Sequence, residues 1–175
     1  MMEIRFGEYT LRSWSWDDAP ALVGYANNRN IWLNVRDAFP HQYTKADADA
    51  WLDLVVGQDR PTSFAIATES EAIGGMGFTL KDDVRRRTAE IGHWLAEPPF
   101  WGRGIANDAV RAVVDYAFAG FDLIGIEAHV FEWNPGSCRV LEKAGFTLEG
   151  RLRKRVTKDG KAIDELLYGL VREEA

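Results

Sequence analysis

The sequence predicts an α/β fold (α+β by some schemes), and three observations lead there. Segments of strand-like period two alternate with segments of helical period along most of the chain. Three strand-like segments, 64–68, 72–80 and 88–95, follow one another across short polar breaks, which is the pattern of an antiparallel meander. A Gly-x-Gly turn, Gly102-Arg103-Gly104, then separates the last of these from a long apolar-striped stretch.

Taken in order, Tyr9 to Trp14 reads as a first strand, and Trp16-Asp17-Asp18 opens a helix that runs through Asn27. Residues 28–43 show no clean periodicity and read as a long loop. Thr44 can cap the next helix, which runs through Val56, because its hydroxyl can accept a first-turn amide. After the meander, whose last turn is the charged run Lys81 to Arg87, the stretch 106–119 puts Ala109, Val110, Val113, Val114 and Ala117 on one helical face. A strand at 126–130 follows, and then a helix from Pro135 to Ala144. Proline suits its first turn and Gly145 its end. Two final strands read as Thr147 to Arg155 and Ile163 to Leu170. At 175 residues, with no repeat, low-complexity tract or linker, the expectation is one domain over 1–175. A chain of this length buries roughly two thirds of its unfolded surface.

Composition narrows the function classes. Hydrophobic residues make up 46% and charged residues 27%, ordinary for a soluble globular protein. The formal charge of -6 weighs against broad nucleic-acid affinity, which needs many Lys and Arg contacts to phosphate, and an acidic surface favours cationic acceptors. A single cysteine, Cys138, excludes an intrachain disulfide. No apolar run approaches a membrane span, and the first residues lack the apolar core of a secretory signal, so the expected location is the cytoplasm.

The glycine turn carries the chemistry. Glycines at 102 and 104 can adopt backbone conformations closed to residues with a Cβ, and they deliver free amides to a helix N-terminus, where anions bind. A plain tight turn is the alternative. A Walker loop would need a Gly-Lys-Ser/Thr ending, and a dinucleotide fingerprint would need a third glycine with a later acidic residue. Position 107 is Asn, and neither pattern fits.

The wider context adds Glu-Ile-Gly-His-Trp-Leu at 90–95, Phe-Trp-Gly-Arg-Gly-Ile-Ala at 100–106, Asn-Pro-Gly-Ser at 134–137, and Leu-Glu-Lys-Ala-Gly-Phe at 141–146 with Glu149-Gly150. In this order they resemble the GNAT acyltransferase superfamily, and within it the RimJ/RimL-type ribosomal-protein N-acetyltransferases. The resemblance implies a mixed, mostly antiparallel sheet of about seven strands flanked by helices. Its central parallel pair, 88–95 and 126–130, would splay apart to admit the pantetheine arm of acetyl-CoA, the expected cosubstrate. Main-chain groups near Trp94 and Leu95 would bond the pantetheine amides, and amides from Arg103, Gly104, Ile105, Ala106 and Asn107 would hold the pyrophosphate. Arg139 and Lys143 either bring charge towards the nucleotide end or form a solvated helical face. Trp101 departs from the Gln or Arg usual at the loop's start, although an aromatic there is common in the RimJ/RimL branch.

The reaction so implied is direct attack of a primary amine on the thioester. At pH 7 an α-amine with a pKa near 8 is about a tenth neutral, whereas a lysine amine near 10.4 is neutral in about one molecule in two thousand. A base helps both, and Glu90 is the candidate, acting directly or through water. Its other reading is a strand glutamate that orients a neighbour or faces solvent. Asn134 is placed against the pantetheine by the resemblance and is also a natural helix N-cap. Ser137 is the candidate proton donor to the leaving thiolate. Many relatives use a tyrosine where this chain has Leu141, which adds weight to Ser137; its alternative is a first-turn residue with no chemical role. His93 reads as a packing or wall residue and Cys138 as a small buried hydrophobe.

Trp32, Arg36, Phe39 and Tyr43 lie in the segment that covers the acceptor cleft in the family, and they either bind substrate or anchor the loop to the core. His41, His93 and His129 are too scattered in sequence to propose a metal site, so no metal is expected. The acceptor implied is a ribosomal-protein N-terminal α-amine. A polyamine, antibiotic or metabolite amine and a noncatalytic acyl-CoA sensor are the alternatives. The seven tryptophans leave apolar surface enough for a homodimer.

Overall fold

The computed structural model describes residues 3–96 and 100–172. Its strands are β1 (Glu3–Phe6), β2 (Tyr9–Ser13), β3 (Ser63–Ala67), β4 (Ala72–Leu80), β5 (Thr88–Leu95), β6 (Gly125–Phe131), β7 (Thr147–Lys158) and β8 (Lys161–Val171). They form one sheet in the order β1-β2-β3-β4-β5-β6-β8-β7. The helices are α1 (Ala19–Ala26), α2 (Arg29–Trp32), α3 (Lys45–Val55), α4 (Ile105–Gly120) and α5 (Pro135–Lys143). Among the described residues, no helix is long and apolar enough to cross a membrane.

The meander, the helix after the glycine turn and the final hairpin all form where the periodicity places them. Among the described residues there are eight strands rather than about seven, because Glu3–Phe6 pairs with β2 as an edge hairpin whose alternation spans only four residues. The helix expected over 16–27 is divided. Ser15 and Asp18 form a capping box around a 3-10 turn at Trp16–Asp18, and Pro20 then sits in the first turn of α1. Asp18 is almost fully buried and accepts both Arg12 guanidinium donors at 2.7 and 2.8 Å, which fixes where the chain leaves β2. The loop at 28–43 contains the single-turn helix α2, capped by Asn28. Thr44 caps α3 in a capping box with Asp47, as expected.

Contacts cluster into two compact units. The first is Met1–Gly77 with His93–Ala109. Here β2, β3 and β4 pair antiparallel, and a core of Trp14, Leu22, Leu52 and Val55 forms between this sheet and the amphipathic faces of α1 and α3. Trp94 packs against that core. A Cβ built on Gly74 would stand 2.5 Å from the Trp94 carbonyl oxygen, and one on Gly75 would stand 2.6 Å from the indole nitrogen. These two glycines let the strands approach closely enough to seat Trp94.

The second unit is Phe78–Gly92 with Val110–Ala175. It contains the one parallel pair, β5 with β6, and the antiparallel run of β6, β8 and β7. Val110, Val113, Val114 and Ala117 turn one face of α4 inward, and Phe78 packs edge-on against Phe121 at 5.2 Å. Helix α5 closes with Gly145 at φ +96° and a Phe146 N–H to Leu141 C=O bond, the six-to-one bond of a Schellman end.

Replacing Gly74 with Ala forces the Trp94 carbonyl to move. The expected loss is roughly 1–3 kcal/mol of unfolding free energy, read by denaturant titration; an unchanged midpoint would remove the close-approach account.

Candidate active site

The glycine turn has the geometry that an anion cradle needs. Gly102 and Gly104 sit at φ +76° and +83°, and a Cβ at either would meet nothing within 4 Å, so both the backbone and the space in front of it are open. The first helical bond runs from the Asp108 N–H to the Gly104 carbonyl, so the amides of Ile105 and Ala106 stand ahead of the ladder at the start of a 16-residue helix. The residues present therefore fit a pyrophosphate. The Arg103 side chain is directed to β1–β2, with its guanidinium 3.0 Å from Glu8 and over the Tyr9 ring. Its contribution to a phosphate is thus its amide. Trp101 donates its indole N–H to the Leu95 carbonyl at 3.0 Å. This ties the turn to the end of β5 and accounts for the unusual aromatic. One acceptor position of Leu95, expected to face pantetheine, is already engaged by this bond.

Parallel pairing of β5 with β6 covers Thr88↔Gly125, Ala89↔Ile126 and Glu90↔Glu127 and stops there, although β5 runs on to Leu95 and β6 to Phe131. Glu90 is therefore the last residue of β5 paired with β6. Its carboxylate accepts from the Lys81 ammonium at 3.0 Å, and the same ammonium reaches Glu127 at 2.6 Å. His129 extends the chain of contacts, with Nε2 3.3 Å from Glu127 and Nδ1 3.1 Å from Glu165. All five groups are partly buried. Burial pushes the Glu127 carboxyl up, but hydrogen bonds and charge from Lys81 and His129 outweigh it and leave its pKa below the usual carboxylate range.

Sequence reasoning missed Lys81, Glu127, His129 and Glu165. The available signal was period two, which puts Glu127 and His129 on one face of a strand otherwise apolar. The strand pairing also brings His129 to two carboxylates despite its distance in sequence from the other histidines. Donor atoms of Glu90, Glu127 and His129 lie within 4.8 Å of one another, a set able to hold a cation, and the Lys81 ammonium already bonds both carboxylates.

Asn134 caps α5, its side chain accepting the Ser137 N–H at 3.2 Å, which is the N-cap role foreseen for it. Ser137 stands half-buried in the first turn. Leu141 is buried in the core, while Arg139 and Lys143 are exposed on the same helix. Cys138 is half-buried rather than fully enclosed.

In the 28–43 loop, Tyr43 belongs to the core cluster, and burial with the nearby Asp47 charge pushes its hydroxyl pKa up to about 12. Phe39 packs on Tyr43 at 5.1 Å and edge-on to Trp94 at 5.8 Å. These two anchor the loop, so the substrate-binding expectation falls to Trp32, stacked on His41 at 5.3 Å, and to exposed Arg36. His93 is half-exposed by surface yet packed closely enough for burial to push its pKa down to about 4, so it is neutral at pH 7.

The acetyltransferase (GNAT) domain family matches residues 9–147. The chain belongs to the GNAT acetyltransferase family. It is 53% identical to the probable N-acetyltransferase YjcK of Bacillus subtilis (strain 168) over 79% of this chain and 83% of that protein. It is 34% identical to the ribosomal-protein-serine acetyltransferase of Escherichia coli (strain K12) over 62% and 59%. With the spermidine N(1)-acetyltransferase of Vibrio cholerae it shares 25% identity over 90% and 89%. A solved ribosomal L7/L12 α-N-protein acetyltransferase in complex with coenzyme A superimposes with a TM-score of 0.83 at 22% identity, covering 97% of this chain and 98% of that one. This acetyltransferase therefore takes acetyl-CoA as its cosubstrate and moves the acetyl group to an amine.

Lys81→Met leaves Glu90 and Glu127 facing each other without the ammonium. The expected loss is roughly 1 kcal/mol of stability at pH 7. Because Glu127 titrates below its ordinary value when folded, the stabilisation is present above the unfolded carboxylate pKa and lost as pH falls through the folded one. The difference between variant and parent should therefore close in acid, in paired unfolding curves. An NMR titration of the His93 ring should give a midpoint near 4; a midpoint above 6 would contradict its packing.

Proposed function

We propose that this acetyltransferase, a single GNAT domain over 1–175 working in the cytoplasm, acetylates protein or peptide N-terminal α-amines in the manner of the RimJ/RimL branch. The observation that carries this reading is the Lys81 ammonium between Glu90 and Glu127. A polyamine acceptor brings several positive charges and needs carboxylates free to receive them. Here both partly buried carboxylates already bond the Lys81 ammonium, which offsets one of their two charges and leaves less to attract a polycation, and this suits an acceptor with a single reacting amine. An α-amine is also about a tenth neutral at pH 7 and asks little of a base.

In this reading the pyrophosphate of acetyl-CoA rests on the amides from Arg103 to Asn107, and the pantetheine bonds main-chain groups of β5 beyond Glu90, at Trp94 and Leu95. Glu90 receives the proton of the attacking amine, directly or through water. The nitrogen forms its bond to the thioester carbonyl carbon as the carbon–sulfur bond breaks; the Ser137 hydroxyl passes a proton to the sulfur and takes one back from solvent, to which Glu90 releases the proton it received. Asn134 holds Ser137 in register by capping its turn and lines the pantetheine. Arg139 and Lys143 face the nucleotide end, and Trp32 and Arg36 meet the acceptor. Small-amine acetylation is the second reading, and the spermidine N(1)-acetyltransferase relative favours it.

The deciding assay is thiol release from acetyl-CoA with peptides bearing ribosomal N-termini, polyamines and aminoglycosides, run on the parent and on Glu90→Gln. Turnover is expected with the peptides. The variant should lose roughly a hundredfold or more in kcat with its acid limb flattened and its KM for acetyl-CoA little changed. Turnover confined to polyamines, or a variant at full rate across pH, would overturn the assignment.

A further inference from the structure

The β7–β8 hairpin concentrates positive charge in an acidic chain. Between 151 and 161 stand Arg151, Arg153, Lys154, Arg155, Lys158 and Lys161 against one acid, Asp159, while the whole protein carries -6. The strand pairing explains how part of this charge is displayed. Leu152 pairs with Glu165 and Val156 with Ile163, so three residues of β7, Arg153-Lys154-Arg155, stand opposite the single residue Asp164. This is a bulge with two surplus residues, and Lys154 takes a left-handed conformation at φ +50°.

Asp164 holds that conformation from within. It is 7% exposed, accepts the Lys154 N–H at 2.9 Å and the Arg151 Nε at 2.6 Å, and its own N–H donates to Glu132 at 2.8 Å. Arg151 also bonds Glu132, so both carboxylates near the bulge are committed to the scaffold. An open concavity of about 670 Å³ is lined by Glu132, Arg151, Arg153, Lys154, Arg155 and Asp164. Arg153 and Arg155 are exposed and have no hydrogen bond or ion pair among the described residues. A buried carboxylate thus stabilises a backbone conformation rare for lysine, and the result is two guanidiniums presented at a concave surface without internal counter-ions.

We propose that this bulge is a docking site for carboxylates of an acidic segment in the acceptor polypeptide, selecting acceptors that carry Asp or Glu. The proposal rests on the reading that the acceptor is a peptide. Two free guanidiniums suit a pair of carboxylates. A nucleic-acid tract needs a longer row of phosphate contacts, which the net acidic surface opposes. The sequence-level expectation of cationic acceptors came from total charge; near the bulge the local sign is reversed.

The test uses the full-length protein and two short peptides with a free N-terminal serine, identical except that one carries glutamates where the other carries glutamines. Binding is read by fluorescence anisotropy in the presence of coenzyme A at low salt, and turnover by thiol release from acetyl-CoA. The glutamate peptide should bind roughly fivefold or more tightly than its partner, with the preference falling as salt is added. Arg153→Gln/Arg155→Gln should abolish the preference while keeping the parent's melting curve and its rate on the glutamine peptide. Equal binding of both peptides, or a preference that survives the double variant, would overturn the site. So would a single-stranded RNA that displaces the glutamate peptide at lower concentration and loses affinity in the variant. A charge-dependent preference with no turnover of any peptide would uphold the docking surface and defeat the peptide-acceptor reading instead; equal turnover with equal binding would do the reverse.

Discussion

One ammonium joins the charged groups at the parallel seam of this protein. Lys81 follows β4 directly, and its Nζ reaches the two carboxylates that close the parallel pairing of β5 and β6. Two ionised carboxylates less than 5 Å apart repel by roughly 3 kcal/mol even at an effective dielectric near 20. Without a cation one of them would take up a proton or the strands would part further down. Lys81 offsets that repulsion in a partly buried position, and Glu127 in turn holds His129, which holds Glu165. Four strand-associated segments are joined by this single polar chain.

The glycine turn and the end of β5 rely on a different constraint, close backbone approach. Gly74 and Gly75 leave room for the Trp94 carbonyl and indole, and Trp94 then packs with Phe39 on the core beside Tyr43. The Trp101 indole ties the glycine turn to Leu95 at the end of the same strand. The indole anchors a turn whose glycines at positive φ confer no rigidity of their own. The aromatic that departs from the wider superfamily pattern supplies it here.

Charge behaves differently at the two scales. A net charge of -6 describes solubility and long-range potential, yet the described acids near the β7 bulge are consumed in holding its backbone. Asp164 and Glu132 neutralise Arg151 and fix Lys154, so the exposed cations Arg153 and Arg155 dominate locally. Composition cannot show this, because it counts every carboxylate equally whether it faces solvent or is bonded inside.

By itself the sequence determined most of the secondary structure, the glycine turn and its helix, the caps at Thr44 and Asn134, and the family, because each depends on local periodicity, backbone freedom or a contiguous motif. The edge strand at Glu3–Phe6 escaped it, since a short hairpin arm with alternating charge is held by its partner's hydrogen bonds rather than by a buried face. Glu90 was legible through its motif, but Lys81, Glu127, His129 and Glu165 were not, because they lie on separate strands and only the pairing register brings them within hydrogen-bond reach. Tertiary packing against Trp94 and the core put Tyr43 and Phe39 to structural use, and the β7–β8 register decided that three consecutive basic residues loop out opposite one buried aspartate. Local chemistry is written along the chain; which charges meet depends on strand pairing between distant segments, and that is set by the tertiary fold.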